Sequence, residues 1–309
     1  MKSINQKTIC KTINFKGIGL HSGIISNINL VPSEENTGIV FKRVDLKNNN
    51  IIKANFKNVS SARLCTTLKN SSGATVSTVE HLMAAFYITG IDNVIVEINN
   101  IEVPIMDGSS KDFIDLINTA GVKSLYAKRK YLKILKPIEF KEKEKYISIM
   151  PSKENFNVDF QIAYKNELIG DQKNDINFDT KESLEDIYTS RTFCLYEDIE
   201  MIKKNGLAKG GSLENAVVVK GTKVMNEGGL RNQKEFVNHK ILDLAGDFLL
   251  SGYRIIGSVK CIQGGHYLSN IFMREVFKDA SNFEVINVPE VNITDRNFKT
   301  PINKLAVNA

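Results

Sequence analysis

A helix followed by a glycine and a strand occurs twice in this chain, and this repeated order limits the folds open to it. The first predicted helix has an almost wholly apolar body over residues 82–88 and ends at Gly90. The second covers residues 238–251, ends at Gly252 and is about one turn longer. The first helix must be buried, because its body is so apolar. The shared order suggests an ancient duplication.

Short alternating or apolar runs predict strands in both halves of the chain. They cover residues 12–15, 25–30, 38–44, 93–98, 131–134, 146–150, 156–164 and 254–262. A chain of 309 residues exceeds the usual size of one domain, so we expect two domains of roughly 120 to 180 residues. The predicted linker is 125–130, which gives domains at 1–127 and 128–309. Residues 184–221 interrupt the second domain with a helical portion and a glycine-rich turn, as insertions that build substrate sites often do.

The composition restricts the compartment and the partners. The fractions of 42% hydrophobic and 25% charged residues are those of an ordinary globular protein. Residues 1–10 lack the apolar run of a signal peptide, and later apolar stretches are short or broken by charges, so we expect a cytoplasmic protein without a transmembrane segment. The net charge of +6 is dispersed, which argues against nucleic-acid binding but suits an anionic substrate. Four scattered cysteines favour reduced thiols.

Two of the four histidines lie beside carboxylates in a way that suits a hydrolytic metal site. His239 and Asp243 are four residues apart on the second predicted helix, so their side chains project within about 40° of each other. Zinc accepts both ligand types, and a catalytic zinc keeps three protein ligands and one water, with His81 as the natural third ligand. The competing interpretation is that His239, Lys240, Asp243 and Asp247 are only the solvated face of a surface helix.

Glu80 directly precedes His81 and has two compatible interpretations. It lies three residues after Ser77, which is the spacing of a capping box at the start of a helix. A carboxylate beside a metal ligand is also suited to take a proton from the attacking water of a hydrolase.

The remaining two histidines lie next to glycines. His266 directly follows a predicted strand and two glycines, so we expect its ring on a flexible turn at a sheet edge. Asp247, one turn beyond the predicted metal ligands, can pair with it and keep it protonated near neutral pH, as an electrostatic clamp or an acid. His21 lies in a glycine-rich stretch that a strand pattern follows, so a tight turn with a structural histidine is favoured over a dinucleotide fingerprint.

Seven motifs follow one another along the chain. They are Gly19-Leu20-His21-Ser22-Gly23, Leu64-Cys65-Thr66, Ser77-Thr78-Val79-Glu80-His81-Leu82, Gly90-Ile91-Asp92-Asn93, Pro104-Ile105-Met106-Asp107-Gly108-Ser109, Arg191-Thr192-Phe193 and His239-Lys240-x-Leu242-Asp243. Up to about residue 275 their ordered sum resembles the UDP-3-O-acyl-N-acetylglucosamine deacetylases of bacterial lipid A biosynthesis. No single motif is decisive, but the ordered set is specific.

The resemblance implies an α+β fold of two similar domains, each a β-sheet packed against α-helices. These would form a β-α-α-β sandwich with the active site between the domains. It implies Zn²⁺ held by His81, His239 and Asp243, with iron as the alternative metal, and Glu80 as the general base. The substrate would be a small-molecule UDP-sugar lipid that loses its 2-N-acetyl group. We expect a monomer of the bacterial cytoplasm that has at most a transient contact with the inner membrane surface.

The resemblance also implies roles for residues outside the metal site. It gives Thr192 as an oxyanion donor, Lys240 as a substrate-binding cation, and His266, oriented by Asp247, as a charge stabiliser or an acid for the leaving amine. The implied substrate contacts are Lys145, Asp159 and Phe160 near the nucleotide, and Phe193 and Ile199 in an apolar groove for the acyl chain. The chain departs from the family pattern at Cys194, where glycine is common, and at 263–265, where a lysine and a serine are common.

Two other functions compete with this interpretation. One is a zinc amidohydrolase that acts on a different nucleotide sugar, which substrates with and without the 3-O-acyl chain would separate. The other is a catalytically silent module that binds a nucleotide sugar or RNA, which the metal content would separate. The enzyme is favoured because a silent module does not need a complete set of metal-site residues.

Overall fold

The computed structural model describes residues 4–180 and 184–287, which form six α-helices and twenty β-strands. The helices are α1 (Glu80–Thr89), α2 (Lys111–Ala120), α3 (Leu184–Tyr188), α4 (Ile199–Lys204), α5 (Glu235–Leu249) and α6 (His266–Val276). The strands are β1 (Asn5–Ile9), β2 (Ile13–Ile18), β3 (Ile25–Pro32), β4 (Ile39–Arg43), β5 (Ile51–Lys53), β6 (Val59–Ser61), β7 (Thr67–Lys69), β8 (Thr75–Val76), β9 (Val94–Ile98), β10 (Val122–Lys128), β11 (Lys130–Ile134), β12 (Ile138–Glu142), β13 (Lys145–Met150), β14 (Phe156–Ala163), β15 (Asp171–Asn177), β16 (Phe193–Leu195), β17 (Val217–Lys220), β18 (Lys223–Val224), β19 (Arg254–Ile262) and β20 (Phe283–Asn287).

The N-terminal half contains a five-stranded sheet in the order β2-β3-β9-β4-β5. Neighbouring strands are antiparallel, except that β4 runs parallel to β9. Alternate residues of β3, among them Ile28 and Leu30, are buried, as the alternation in the sequence predicts. α2 packs against both β2 and α1. α2 therefore lies between this sheet and α1.

A seven-stranded sheet forms the C-terminal half around the long strand β19. β11 pairs in parallel with the first part of β19, and β13 pairs antiparallel with the second part. β14 pairs in parallel with that second part and carries β15 as its other neighbour. α5 packs on β14 and β15, and α6 packs on β12 and β13. This sheet is therefore also covered by helices.

The two helical layers meet where α1 packs against α5. Gly246 of α5 lies at this contact, and a Cβ atom built on it would be 2.1 Å from the carbonyl oxygen of Glu80. The predicted repeat is confirmed, because α1, Gly90 and β9 follow the same order as α5, Gly252 and β19. The α+β fold of sheets packed against helices is also confirmed.

Three local predictions were wrong. The segment 125–130 is no linker, since β10 occupies most of it in a pair with β1 and β11 begins at Lys130. Ser77 does not cap α1, because Val79 holds the cap position and the Ser77 hydroxyl donates to the Ile101 carbonyl. α5 begins at Glu235 rather than at residue 238. The division at 127/128 falls at the end of β10 and stays a prediction.

The predicted insertion, 184–221, contains α3, α4, β16 and β17. β16 and β17 are parallel, and β18 completes a small three-stranded sheet. The part of the predicted second domain beyond residue 287 lies outside the described residues. Within 4–180 and 184–287, no helix is long and apolar enough to cross a membrane.

Candidate metal centre and its cleft

α1 and α5 bring together three side chains that could hold one metal ion. His81, His239 and Asp243 each offer a ligand atom, and these atoms lie within 4.8 Å of one another. The Nε2 atoms of His81 and His239 are 3.5 and 3.4 Å from Asp243 Oδ1. The planes of the two imidazole rings are 85° apart. All three residues are buried, so the interpretation of this part of α5 as a solvated face was wrong.

The hydrogen bonds around this group leave its inner atoms available to a cation. His239 Nδ1 donates to the Ser190 carbonyl at 3.1 Å, which leaves a lone pair on Nε2. Burial lowers the pKa of His239 to about 3, so the ring is neutral. Asp243 Oδ1 is buried and accepts no hydrogen bond from the described residues. A buried carboxylate oxygen without a donor, 3.4 to 3.5 Å from two imidazole nitrogens, fits a divalent metal ion.

Lys240 binds the outer oxygen of the same carboxylate. Its Nζ donates to Asp243 Oδ2 at 2.9 Å. Burial alone would raise the pKa of Asp243, but the Lys240 ammonium group and the cationic His266 ring help to hold it well below its usual range. Asp243 is therefore ionised, with one oxygen bound to the ammonium group and the other directed at the histidines.

Glu80 lies beside the group at the start of α1, and its side chain is buried. Its Oε2 accepts a hydrogen bond from the Thr66 backbone N–H at 3.0 Å, and its Oε1 is 3.6 Å from His266 Nε2. Burial raises the pKa of Glu80, although the nearby His266 and His81 act in the opposite direction. A carboxylate with a raised pKa is suited to accept a proton near neutral pH.

His266 is the first residue of α6 and is buried, so the prediction of a flexible surface turn was wrong. The predicted pairing is present, because His266 Nδ1 is 2.9 Å from Asp247 Oδ2. The Thr66 hydroxyl donates to the other Asp247 oxygen at 2.7 Å. Burial lowers the pKa of His266, but Asp247, Glu80 and Asp243 more than offset this and raise it to about 10. The ring is therefore a cation that faces Glu80.

Two adjoining cavities open beside the metal group. A cleft of about 820 Å³ is lined by residues that include Lys145, Thr192, Phe193, Lys240 and His266. A mainly apolar cavity of about 340 Å³ shares Thr192 and Phe193 with this cleft and is also lined by Ile199. The backbone of Thr192 is fixed between the halves, since its N–H donates to the Gly108 carbonyl at 2.8 Å. The inserted segment thus connects the metal group to an apolar space.

Two predicted substrate contacts lie apart from this assembly. Asp159 forms an ion pair with Lys173 at 3.0 Å, and Phe160 is almost fully buried in the core. Neither residue lines the cleft or the apolar cavity. Their contact with a nucleotide stays a prediction, as does that of Lys145.

Sequence reasoning missed residues that hold the site in place. Gly246 allows the close contact of α1 and α5, and a glycine inside a helix was the available signal. Thr66 binds both Glu80 and Asp247 and carried no signal beyond its place in a motif. Glu235 is buried and accepts hydrogen bonds from the backbone and side chain of Arg191, next to the carbonyl that holds His239. These contacts join residues far apart in the chain.

The fold and the site define an α+β protein with a buried group of two histidines and one aspartate that could bind a metal ion, beside a cleft whose wall includes Lys240 and His266. Comparison with known proteins identifies the family within this class. Residues 6–278 match the family UDP-3-O-acyl N-acetylglycosamine deacetylase, and the chain belongs to this family.

Curated relatives agree over nearly the whole chain. The UDP-3-O-acyl-N-acetylglucosamine deacetylase of Campylobacter jejuni is 41% identical over 285 residues, which cover 92% of this chain and 96% of the relative. The protein of that name from Citrifermentans bemidjiense is 42% identical over 300 residues, or 97% of this chain and 96% of the relative. The protein of that name from Shewanella frigidimarina is 39% identical over 300 residues, which cover 96% of this chain and 98% of the relative. The resemblance inferred from the motifs is confirmed.

Proposed function

We propose that this protein is a zinc-dependent hydrolase that removes the 2-N-acetyl group from UDP-3-O-acyl-N-acetylglucosamine in lipid A biosynthesis. The observation that carries the proposal is the convergence of His81, His239 and Asp243 beside Glu80 and His266. A carboxylate and a cationic imidazole next to a metal group are the base and the acid that amide hydrolysis needs. Family membership supplies the substrate.

Zinc suits this donor set, since two imidazole nitrogens and one carboxylate oxygen leave a fourth tetrahedral position for water. When bound, zinc lowers the pKa of a water ligand to about 7 and polarises a carbonyl oxygen. His239 is preset for this role by its bond to the Ser190 carbonyl. Lys240 keeps Asp243 ionised, as a ligand must be.

The side chains beside the metal group divide the proton transfers between them. Glu80 takes a proton from the water whose oxygen attacks the acetamido carbonyl carbon, and the Thr192 hydroxyl donates a hydrogen bond to the oxyanion that forms. His266, held as a cation by Asp247, stabilises that charge or protonates the amine nitrogen as the C–N bond breaks. Acetate and the free amine of the sugar leave.

The two cavities suit the two parts of such a substrate. We assign the apolar cavity, with Phe193 and Ile199 in its wall, to the 3-O-acyl chain. We assign the cleft, with Lys145 and Lys240 in its wall, to the anionic nucleotide sugar. Asp159 and Phe160 are retained as nucleotide contacts on the resemblance alone. The proposed enzyme acts as a monomer in the bacterial cytoplasm, touching the inner membrane only transiently.

The proposal is tested with protein purified without chelators. We expect about one zinc ion per chain by mass spectrometry and release of acetate from UDP-3-O-acyl-N-acetylglucosamine. Glu80→Gln should keep the metal but lower kcat by about a hundredfold to ten-thousandfold. Glu97→Gln, which changes a carboxylate paired with Lys42 elsewhere on the molecule, serves as the matched control and should change neither value.

Two results would contradict the proposal. Protein without stoichiometric metal, together with a Glu80→Gln variant of undiminished activity, would contradict the metal-dependent mechanism and the role of Glu80 as its base. Equal turnover of substrates with and without the 3-O-acyl chain would favour an amidohydrolase for another nucleotide sugar.

A further inference from the structure

His21 is held in place by a buried carboxylate. Glu102 accepts hydrogen bonds from the backbone N–H of His21 at 2.8 Å and of Ser22 at 2.7 Å. The Thr78 hydroxyl donates to the same carboxylate at 2.9 Å. Glu102 is almost fully buried, so the turn that carries His21 is anchored to the body of the N-terminal half. Such an anchor fixes where the imidazole ring lies.

One hydrogen bond to the ring defines its tautomer. The Ala208 backbone N–H, a donor, is 3.4 Å from His21 Nδ1, which therefore accepts. Burial lowers the pKa of His21, and the ring is neutral. The single ring proton then lies on Nε2. That atom is buried and has no hydrogen-bond partner among the described residues.

A buried N–H group without an acceptor is unfavourable, and native proteins rarely retain one unless it has a function. His21 lines the apolar cavity together with Leu20, Leu64 and Phe193. Leu64 and Phe193 also line the cleft that contains Lys240 and His266. His21 is close enough to His266 for the two rings to interact electrostatically. The unpaired donor therefore lies near the place where the two cavities meet.

We propose that His21 Nε2–H donates a hydrogen bond to the carbonyl oxygen by which the 3-O-acyl group is joined to the sugar. This inference rests on the proposed function. In a substrate that places its sugar in the cleft and its acyl chain in the apolar cavity, the acyl carbonyl lies at the junction. It is the one polar group of the acyl substituent adjoining the sugar, and it needs a donor once it is removed from water. His21 thereby distinguishes an acyl from an alkyl substituent.

The inference is tested by measuring the binding of substrate analogues to the Glu80→Gln variant. This variant lacks the proposed base, so it should bind the analogues without hydrolysing them. The ligands are UDP-N-acetylglucosamine with a 3-O-acyl ester and with a 3-O-alkyl ether of equal chain length, which lacks the carbonyl. We expect calorimetry to show about tenfold tighter binding of the ester. His21→Leu should abolish this preference by weakening ester binding alone. His21→Gln, which restores a donor, should recover part of it.

Ser22→Ala is the matched control, because it changes a side chain of the same turn and should leave the ester preference unchanged. Thermal melting establishes that each variant is folded. An equal loss of affinity for ester and ether in His21→Leu, or a preserved preference, would overturn the inference. A further outcome is that the wild-type protein releases no acetate while the ester preference still depends on His21. In that case the proposed reaction is wrong, but the hydrogen bond from His21 to the acyl carbonyl is supported.

Discussion

α1 and α5 show how two segments with the same order of elements can contribute differently to one site. α1 contributes Glu80 and His81 from its first turn, whereas α5 contributes His239 and Asp243 from its interior. His239 is fixed by a bond from its Nδ1 to a carbonyl, but His81 Nδ1 has no hydrogen-bond partner in the described part of the chain. α5 is therefore the preorganised half of the metal group, and packing against it positions α1.

Replacing Asp243 of α5 should have the largest effect on the metal site, because its carboxylate faces both histidines directly. Loss of an outer hydrogen-bond partner lowers metal affinity by about 10- to 100-fold, and loss of a ligand must exceed this. We expect Asp243→Asn to weaken zinc binding by more than about a hundredfold, measured by competition with a chelator.

The matched control for this prediction is Asp247→Asn, one turn further along α5. Asp247 binds His266 and Thr66 rather than the metal group, so its variant should keep the zinc and lose activity. Equal zinc loss in both variants would show that the ligand assignment on α5 is wrong.

Disturbing the contact between α1 and α5 should have the next largest effect, on both stability and zinc affinity. Alanine in place of a glycine inside a helix usually stabilises a protein by about 0.5 to 1 kcal/mol. At Gly246 the sign should reverse, because the new Cβ would overlap the Glu80 carbonyl oxygen and push α1 away from α5. We expect Gly246→Ala to lower the free energy of unfolding by about 3 kcal/mol and to reduce zinc affinity, measured by denaturation and chelator competition. A stabilised variant would contradict this account of the packing.

A smaller effect is expected where one residue bridges the two halves. Thr66 binds Glu80 of α1 through its backbone and Asp247 of α5 through its hydroxyl. Thr66→Val removes only the second bond, which as a bond to a charged group accounts for about 1.5 to 3 kcal/mol. We expect kcat to fall at least about tenfold, with zinc content unchanged. Thr67→Val, which alters a hydroxyl 3.9 Å from Cys65 Sγ, is the neighbouring control and should retain normal kcat.

The smallest effect is expected at the glycines that follow α1 and α5. Gly90 and Gly252 have φ angles of 81° and 82°, and a Cβ on either would meet no atom closer than 3.6 Å. Only the backbone conformation then opposes a side chain, at about 1 kcal/mol. Gly90→Ala and Gly252→Ala should therefore lower the free energy of unfolding by similar amounts, with activity retained. Clearly unequal losses of stability would show that α1 and α5 also differ at their C-terminal ends.

Periodicity and local turn signals predicted most elements of this fold. β19 lies where the alternating pattern placed it, and α1 ends at Gly90 as expected. The failures came where distant contacts outweigh local preference. The Ser77 hydroxyl binds a carbonyl far along the chain instead of capping α1, and the segment taken for a linker pairs with β1. Local patterns carry no information about such partners.

The sequence by itself determined which side chains are chemically able to form the site. Spacing alone places His239 and Asp243 on one side of a helix, and the motifs identify His81 and Glu80 as their partners. Only the tertiary structure decided that this helix is buried, that His266 is a buried cation, and that Asp243 Oδ1 is left without a donor. The reason is that burial and electrostatic environment depend on helices and strands distant in the chain, which meet only through packing such as that at Gly246.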